Sequence, residues 1–261
     1  MIIQKLLKHK LEISILIIIS FFSYWRSPYI FKHGRFMAEE GSKHFAYVWE
    51  NGFLKGLFFL EKEAGYFNFI ANLLTAISSL INIELSPMIT VYGSLIFILL
   101  PSYFLLFRES LFFDTNSKKI IGSFLLFITP PFVPEIWVNS INTQIYLCIS
   151  SILILFMINL DSFQKKMNHI FIFIAGFSGV YTCCLLPLFA TNFYYRKNFY
   201  NLLNFLILFI ASCIQFFFVL QAKISNALPS NVLATDLDVN LMVNYIYNIL
   251  LKSFFGRQII H

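Results

Sequence analysis

The chain has 261 residues, of which 58 % are hydrophobic, 19 % aromatic and only 12 % charged. Soluble domains carry about 25 % charged residues and lack repeated apolar runs near twenty residues long. The composition therefore excludes an ordinary soluble domain and points to an all-α, polytopic transmembrane helix bundle, one domain over 1–261. The net charge of +6 is held in short basic clusters between apolar runs, the pattern of cytoplasmic loops and not of a nucleic-acid-binding face.

Apolar runs occupy 11–25, 66–84, 88–107, 120–134, 144–160, 170–194, 199–221 and, more weakly, 241–255. The first follows Lys5, Lys8 and Lys10, as a signal peptide would. It ends on the bulky Ser23-Tyr24-Trp25-Arg26, which offers no small-residue cleavage site, so it reads as a retained signal anchor with a cytoplasmic N-terminus. Further basic clusters stand at Arg108/Lys118/Lys119, Lys165/Lys166 and Arg196/Lys197. The positive-inside bias expects all four clusters on the cytoplasmic side.

Two departures from one span per run satisfy that expectation. The first leaves 66–84 lying along the outer interface, in keeping with Asn68, Asn72, Thr75, Ser78, Ser79, Asn82 and Glu84. The second splits 170–194 into two half-helices meeting at Gly176-Phe177-Ser178-Gly179. Thirteen helical residues rise only about 20 Å against a hydrocarbon core of about 30 Å. Half-helices of that length need a protein-lined, watered cavity at their tip. The alternative is a single tilted span.

On this arrangement 26–87 is a long first outer loop with an interfacial helix. Residues 25–63 hold five of the thirteen acidic side chains. Adjacent carboxylates beside a span mark either a solvated turn or a working site. Glu39 and Glu40 point about 100° apart on a helix, which suits one catalytic base and one orienting partner. Arg35, Lys43 and His44 lie about one turn away, able to hold a carboxylate ionised or to meet a phosphate. The competing reading is an exposed turn ending at Gly41. Next comes Glu61-Lys62-Glu63-Ala64-Gly65-Tyr66, where Gly65 permits a tight turn and Tyr66 suits a headgroup-level anchor.

The third outer segment runs Pro130-Pro131-Phe132-Val133-Pro134-Glu135-Ile136-Trp137-Val138-Asn139-Ser140-Ile141-Asn142-Thr143-Gln144. Its prolines break the preceding helix. Trp137, Asn139, Asn142 and Gln144 offer the aromatic face and planar amides that a sugar needs. Capping of the next helix by Asn142 and Thr143, with an interfacial Trp, is the plainer reading. Cys148, Cys183, Cys184 and Cys213 all fall in apolar runs, without metal-ligand spacing, and read as small buried hydrophobes. No P-loop or GxGxxG is present, and the cytoplasmic loops are too short for a nucleotide domain, so any chemistry belongs to the outer face.

In order, Ala38-Glu39-Glu40-Gly41 with a following aromatic, Ala64-Gly65-Tyr66 opening a helix, and Asn139-x-x-Asn142-x-Gln144 resemble bacterial polytopic proteins of the GT-C glycosyltransferase superfamily. The stretch from Gly176 to Pro187 resembles that superfamily's glycine-bearing helix pair, and the likeness covers roughly 10–220. It implies a lipid-linked donor, a polyprenyl-phosphate-linked sugar, and a glycan or lipid acceptor. The active site would lie at the outer face of the bacterial cytoplasmic membrane, with an essential acid in the first outer loop. Glu39 and Glu40 match that acid; its second position is commonly Asp, so which of the two is the base stays open.

An inverting transfer needs a carboxylate to take the acceptor hydroxyl's proton and cations to stabilise the departing phosphate. Arg35, Lys43 and Lys62 are candidates for the second task. No cofactor is implied; carboxylates can bind a divalent cation, but no second acidic cluster completes a site. Superfamily members run well beyond this length, so the chain is expected to be C-terminally short relative to them, and inactive if donor-binding residues lie further on. The other readings are a non-catalytic or degenerate subunit of a glycan assembly system and a lipid-linked-glycan transporter. The latter expects ionisable residues along a mid-membrane path, which these runs largely lack.

Overall fold

The structure, a computed structural model, describes residues 9–128 and 138–225. Lys5 and Lys8, the stretch 129–137 with Glu135 and Trp137, and the residues from 226 onward, the run at 241–255 among them, lie outside the described residues. The described residues are helical, and their only β-type pairings are three isolated antiparallel bridges. All-α is thus the class of the fold. Two of its helices are long and apolar enough to cross a membrane by length and composition: Ser86–Phe107 and Phe199–Ile224.

Helix α1 (Lys10–Arg26) stops where Ser27-Pro28 opens the short α2 (Pro28–His33), since a proline lacks the N–H that would continue the preceding helix and fits best in a first turn. After a π-helical segment, Glu40–Phe45, come α3 (Ala46–Asn51) and α4 (Phe53–Leu57), divided by Gly52. Next is α5 (Phe69–Ser78), whose N-cap Asn68 accepts from the Ala71 amide at 3.2 Å. The 22-residue α6 (Ser86–Phe107) starts on Pro87. It is followed by α7 (Asn116–Ile128) and α8 (Thr143–Leu155). A capping box of Asp161 and Gln164 opens α9 (Ser162–Gly176). A 3₁₀ turn, Cys183–Leu185, leads into α10 (Leu186–Arg196), and Asn198 caps the 26-residue α11 (Phe199–Ile224).

Contacts at the helix ends show that α1, α6, α7, α8, α9, α10 and α11 run alternately in opposite directions. At one end His9 meets Phe107, the Lys119 ammonium reaches the Leu106 carbonyl, and Ser110 bridges Met157. There too the Asn168 amide donates to the Tyr200 hydroxyl at 2.7 Å. This end gathers Lys10, Arg108, Lys118, Lys119, Lys165, Lys166, Arg196 and Lys197. At the other end the Arg26 guanidinium donates to the Phe127 carbonyl, and Tyr92 donates to the Phe31 carbonyl at 3.1 Å. Between the ends lie apolar clusters, the largest built on Phe104, Ile154, Ile172, Phe189 and Leu208.

Two expectations meet the structure here. Helix α9 ends at Gly176 and the chain breaks before α10, so the 170–194 run is two helices joined at the expected glycines. The 66–84 run, expected along the outer interface, holds α5, and seven of that helix's ten residues are buried within the protein. Its polar side chains explain this. Asn72 donates to the Leu57 and Phe59 carbonyls, Thr75 to the Ala71 carbonyl and Ser78 to the Thr75 carbonyl. With its polar groups satisfied inside protein, α5 packs as a core element against α6, α4 and the π-helical segment.

Gly179 holds the break in place. Its φ of +114° suits glycine alone, and a Cβ there would run into the Gln144 side chain. Gly179→Ala is expected to lower stability by about 1–3 kcal/mol, read as an earlier unfolding midpoint in detergent. An unchanged midpoint would mean that 176–179 and Gln144 are not in contact.

Candidate functional site

The chain enters the site through Ala38, whose φ of +48° is unusual for a residue with a Cβ. This kink separates the two adjacent carboxylates. Glu39 is exposed, whereas Glu40 is 0 % exposed. One Glu40 oxygen accepts from the Met37 amide at 3.0 Å and the other from the Ser140 amide at 2.7 Å. Burial pushes the Glu40 carboxyl above its ordinary range, opposed by the hydrogen bonds it receives from Ser140 and Met37. Glu40 is thus a tie between the first long loop and the turn before α8.

That turn is itself ordered by its amides. Asn139 accepts from the Ile141 amide at 2.7 Å, and the Thr143 hydroxyl donates to the Ser140 carbonyl at 2.6 Å. Asn139 and Gln144 are almost fully buried, at 2 % and 4 % exposure, and Asn142 is half-buried. Gln144 donates to the Tyr66 hydroxyl at 3.2 Å. Of the amides expected to meet a sugar, Asn139 and Gln144 are therefore engaged within the protein.

Gly65, at φ +69°, closes the turn that pairs Glu61 with Tyr66. Beyond it, Asn68 pairs with Ser178 and donates to the Ile141 carbonyl at 3.0 Å. From α11, Gln215 brackets Phe67, accepting from its amide at 2.9 Å and donating to its carbonyl at 2.8 Å; it also donates to the Gly176 carbonyl. The first loop, the 139–144 turn and the 176–179 break therefore converge at one end of the bundle.

On this frame sits a charged cluster. Lys43 is 2.7 Å from Glu63 and 3.8 Å from Glu61, and His44 Nε2 is 3.7 Å from Glu61. Buried His44 meets Asn72 Oδ1 through Nδ1 at 2.8 Å. The Glu39 charge is felt by Lys43, His44, Glu61 and Tyr66. Burial raises the Glu61 carboxyl and lowers the His44 imidazole, while the Glu63 hydrogen bond raises Lys43. The cluster offers one exposed carboxylate, one half-buried carboxylate with a raised proton affinity, and an ammonium between acids.

The structure brings together Glu39, Glu40, Lys43, His44, Tyr66 and Gln144. Arg35 and Lys62 are exposed and make no ion pair among the described residues, and Glu135 and Trp137 lie outside those residues. In the sequence Glu61 reads as part of a surface anchor, Asn72 only as polar content of an interfacial helix, and Gln215 as one residue of the 199–221 apolar run. The Glu61-Lys62-Glu63 triplet was visible, but a side chain's partner twenty residues away carries no local signal. Among the described residues, no group of three or more His, Cys, Asp and Glu side chains is placed to hold a metal ion. No protein-family model, curated protein or solved structure matches this chain.

Proposed function

We propose that the chain is a multi-pass protein of the bacterial cytoplasmic membrane, N-terminus inside, and a GT-C-type glycosyltransferase. Its donor is a polyprenyl-phosphate-linked sugar, its acceptor a hydroxyl on a glycan or lipid, and its site faces outward. The observation that carries this reading is the convergence of Glu39, Lys43, Glu61 and Tyr66 with the 139–144 turn and the 176–179 break. They meet at the end of the bundle opposite the basic clusters, as positive-inside orientation requires of an outer site.

In this mechanism Glu39, the exposed carboxylate, takes the acceptor hydroxyl's proton as that oxygen bonds to the anomeric carbon. The bond from the anomeric carbon to the phosphate oxygen breaks, and the phosphate leaves with the electron pair. Lys43, helped by Arg35 or Lys62, stabilises its charge. Glu40 touches neither substrate and fixes the loop that presents Glu39.

Deleting the gene in a bacterium that encodes it tests the reading. The expected result is loss of one sugar from a surface glycan or lipid, with accumulation of the corresponding polyprenyl-phosphate sugar, both reversed by the intact gene. Unchanged glycans and an unchanged lipid-linked pool would overturn it. Loss of the sugar while the linked donor stays trapped on the inner leaflet would favour transport instead.

A further inference from the structure

The hydrogen-bond network around His44 assigns its protons. Asn72 places its Nδ2 2.8 Å from the Phe59 carbonyl and 3.3 Å from the Leu57 carbonyl. Both partners only accept, so this end of the amide is the nitrogen and the other end is the oxygen. That oxygen lies 2.8 Å from His44 Nδ1. It cannot donate, so Nδ1 carries the hydrogen, the less populated tautomer of a free neutral imidazole.

The consequence appears on the ring's other side. An imidazole protonated at Nδ1 alone presents a lone pair at Nε2, and Nε2 faces a Glu61 carboxylate oxygen at 3.7 Å. Two lone pairs facing each other at a largely buried position repel; at this separation, beyond direct hydrogen-bond reach, a proton bound to either member turns the repulsion into attraction or removes it. We infer that His44 and Glu61 are an electrostatically coupled pair that binds one proton on one member or the other, a positioning pair that sets the charge Glu61 presents to Lys43.

The surroundings suit such a pair. The Lys43 ammonium stands 3.8 Å from the other Glu61 oxygen and 2.7 Å from Glu63, and the Glu39 charge is felt by both members. Tyr66, across the turn, feels the Glu61 charge, α5 contributes the neutral Asn72, and Phe59 closes one side of the imidazole edge-on at 5.2 Å. Burial lowers the imidazole from 6.5 and raises the carboxyl from 4.5, so the two proton affinities approach one another. With its one proton the pair is neutral overall, whichever member holds it. When that proton is lost as pH rises, Glu61 is left as an anion that grips Lys43 more firmly. The link from Lys43 to a departing phosphate rests on the transferase reading; the pair does not.

The test is nitrogen-15 NMR of histidine-labelled protein in lipid nanodiscs. The His44 signal is assigned by its loss in His44→Gln or, should that variant not fold, by removing the other four histidines. His44 is expected to be protonated at Nδ1 and to titrate at Nε2. In Glu61→Gln the titration midpoint is expected to fall by about one pH unit, because the anion favouring imidazolium is gone, and Glu61→Asp is expected to restore it in part. An Nε2-protonated neutral ring in the wild type, or an unmoved midpoint in Glu61→Gln, overturns the pair. Neither readout uses sugar transfer, so its failure and the failure of the transferase reading are told apart.

Discussion

On the transferase reading proposed above, Glu39→Gln is expected to reduce sugar transfer by about a hundred- to ten-thousand-fold, the range that a positioned general base contributes, while leaving the fold intact. The fold should survive because the Glu39 side chain is exposed and an amide of the same shape faces solvent equally well. The loss should fall on kcat with KM little changed, since a base acts in the transition state and not in ground-state binding. Transfer measured in membranes from a deletion strain, with expression checked by immunoblot, reads this directly. Full activity would remove Glu39 from the chemistry and return the role to another carboxylate, with Glu61 next in line.

Glu40→Ala is expected to act in the opposite way, through stability. Truncation strands the Met37 and Ser140 amides that the carboxylate accepts from, in a site that is 0 % exposed. A buried donor left without a partner costs about 1–3 kcal/mol, so the two together cost about 2–6 kcal/mol. The expected signs are a lowered unfolding midpoint in detergent and poor recovery from the membrane. The effect should depend on pH. The folded carboxyl titrates above its ordinary 4.5, so the stability linked to its proton is full below that value. It is lost as pH rises through the raised folded value. The gap between wild type and Glu40→Ala should therefore narrow with increasing pH; a gap that widens instead would reverse the assigned direction.

Much of the helical layout was legible because it is written in local patterns. Pro28, Pro87 and Pro187 mark helix starts, Asp161 with Gln164 forms a box readable at a spacing of three, and the glycines at 176 and 179 mark a break. The burial of helix α5 was not legible, for a physical reason. A helix bearing Asn72, Thr75 and Ser78 looks interfacial unless those groups find partners inside the protein, and their partners include carbonyls of α4 and of the loop after it, out of reach of periodicity. The same limit hid Glu61. Its meaning comes from Lys43, His44 and, through His44, from Asn72.

By itself, the sequence determined the membrane-like composition, the sorting of basic clusters between apolar runs, and the interest of the adjacent carboxylates. These are properties of transfer free energy and of charge along one chain. It left the two carboxylates equivalent, because neighbours in sequence share every local signal. Only the tertiary structure divided them. The kink at Ala38 turns Glu40 into the protein, where amides from residues 37 and 140 receive it, and leaves Glu39 outside beside Glu61. Burial and long-range hydrogen bonds set that difference, and both depend on which distant segments the fold brings to one place.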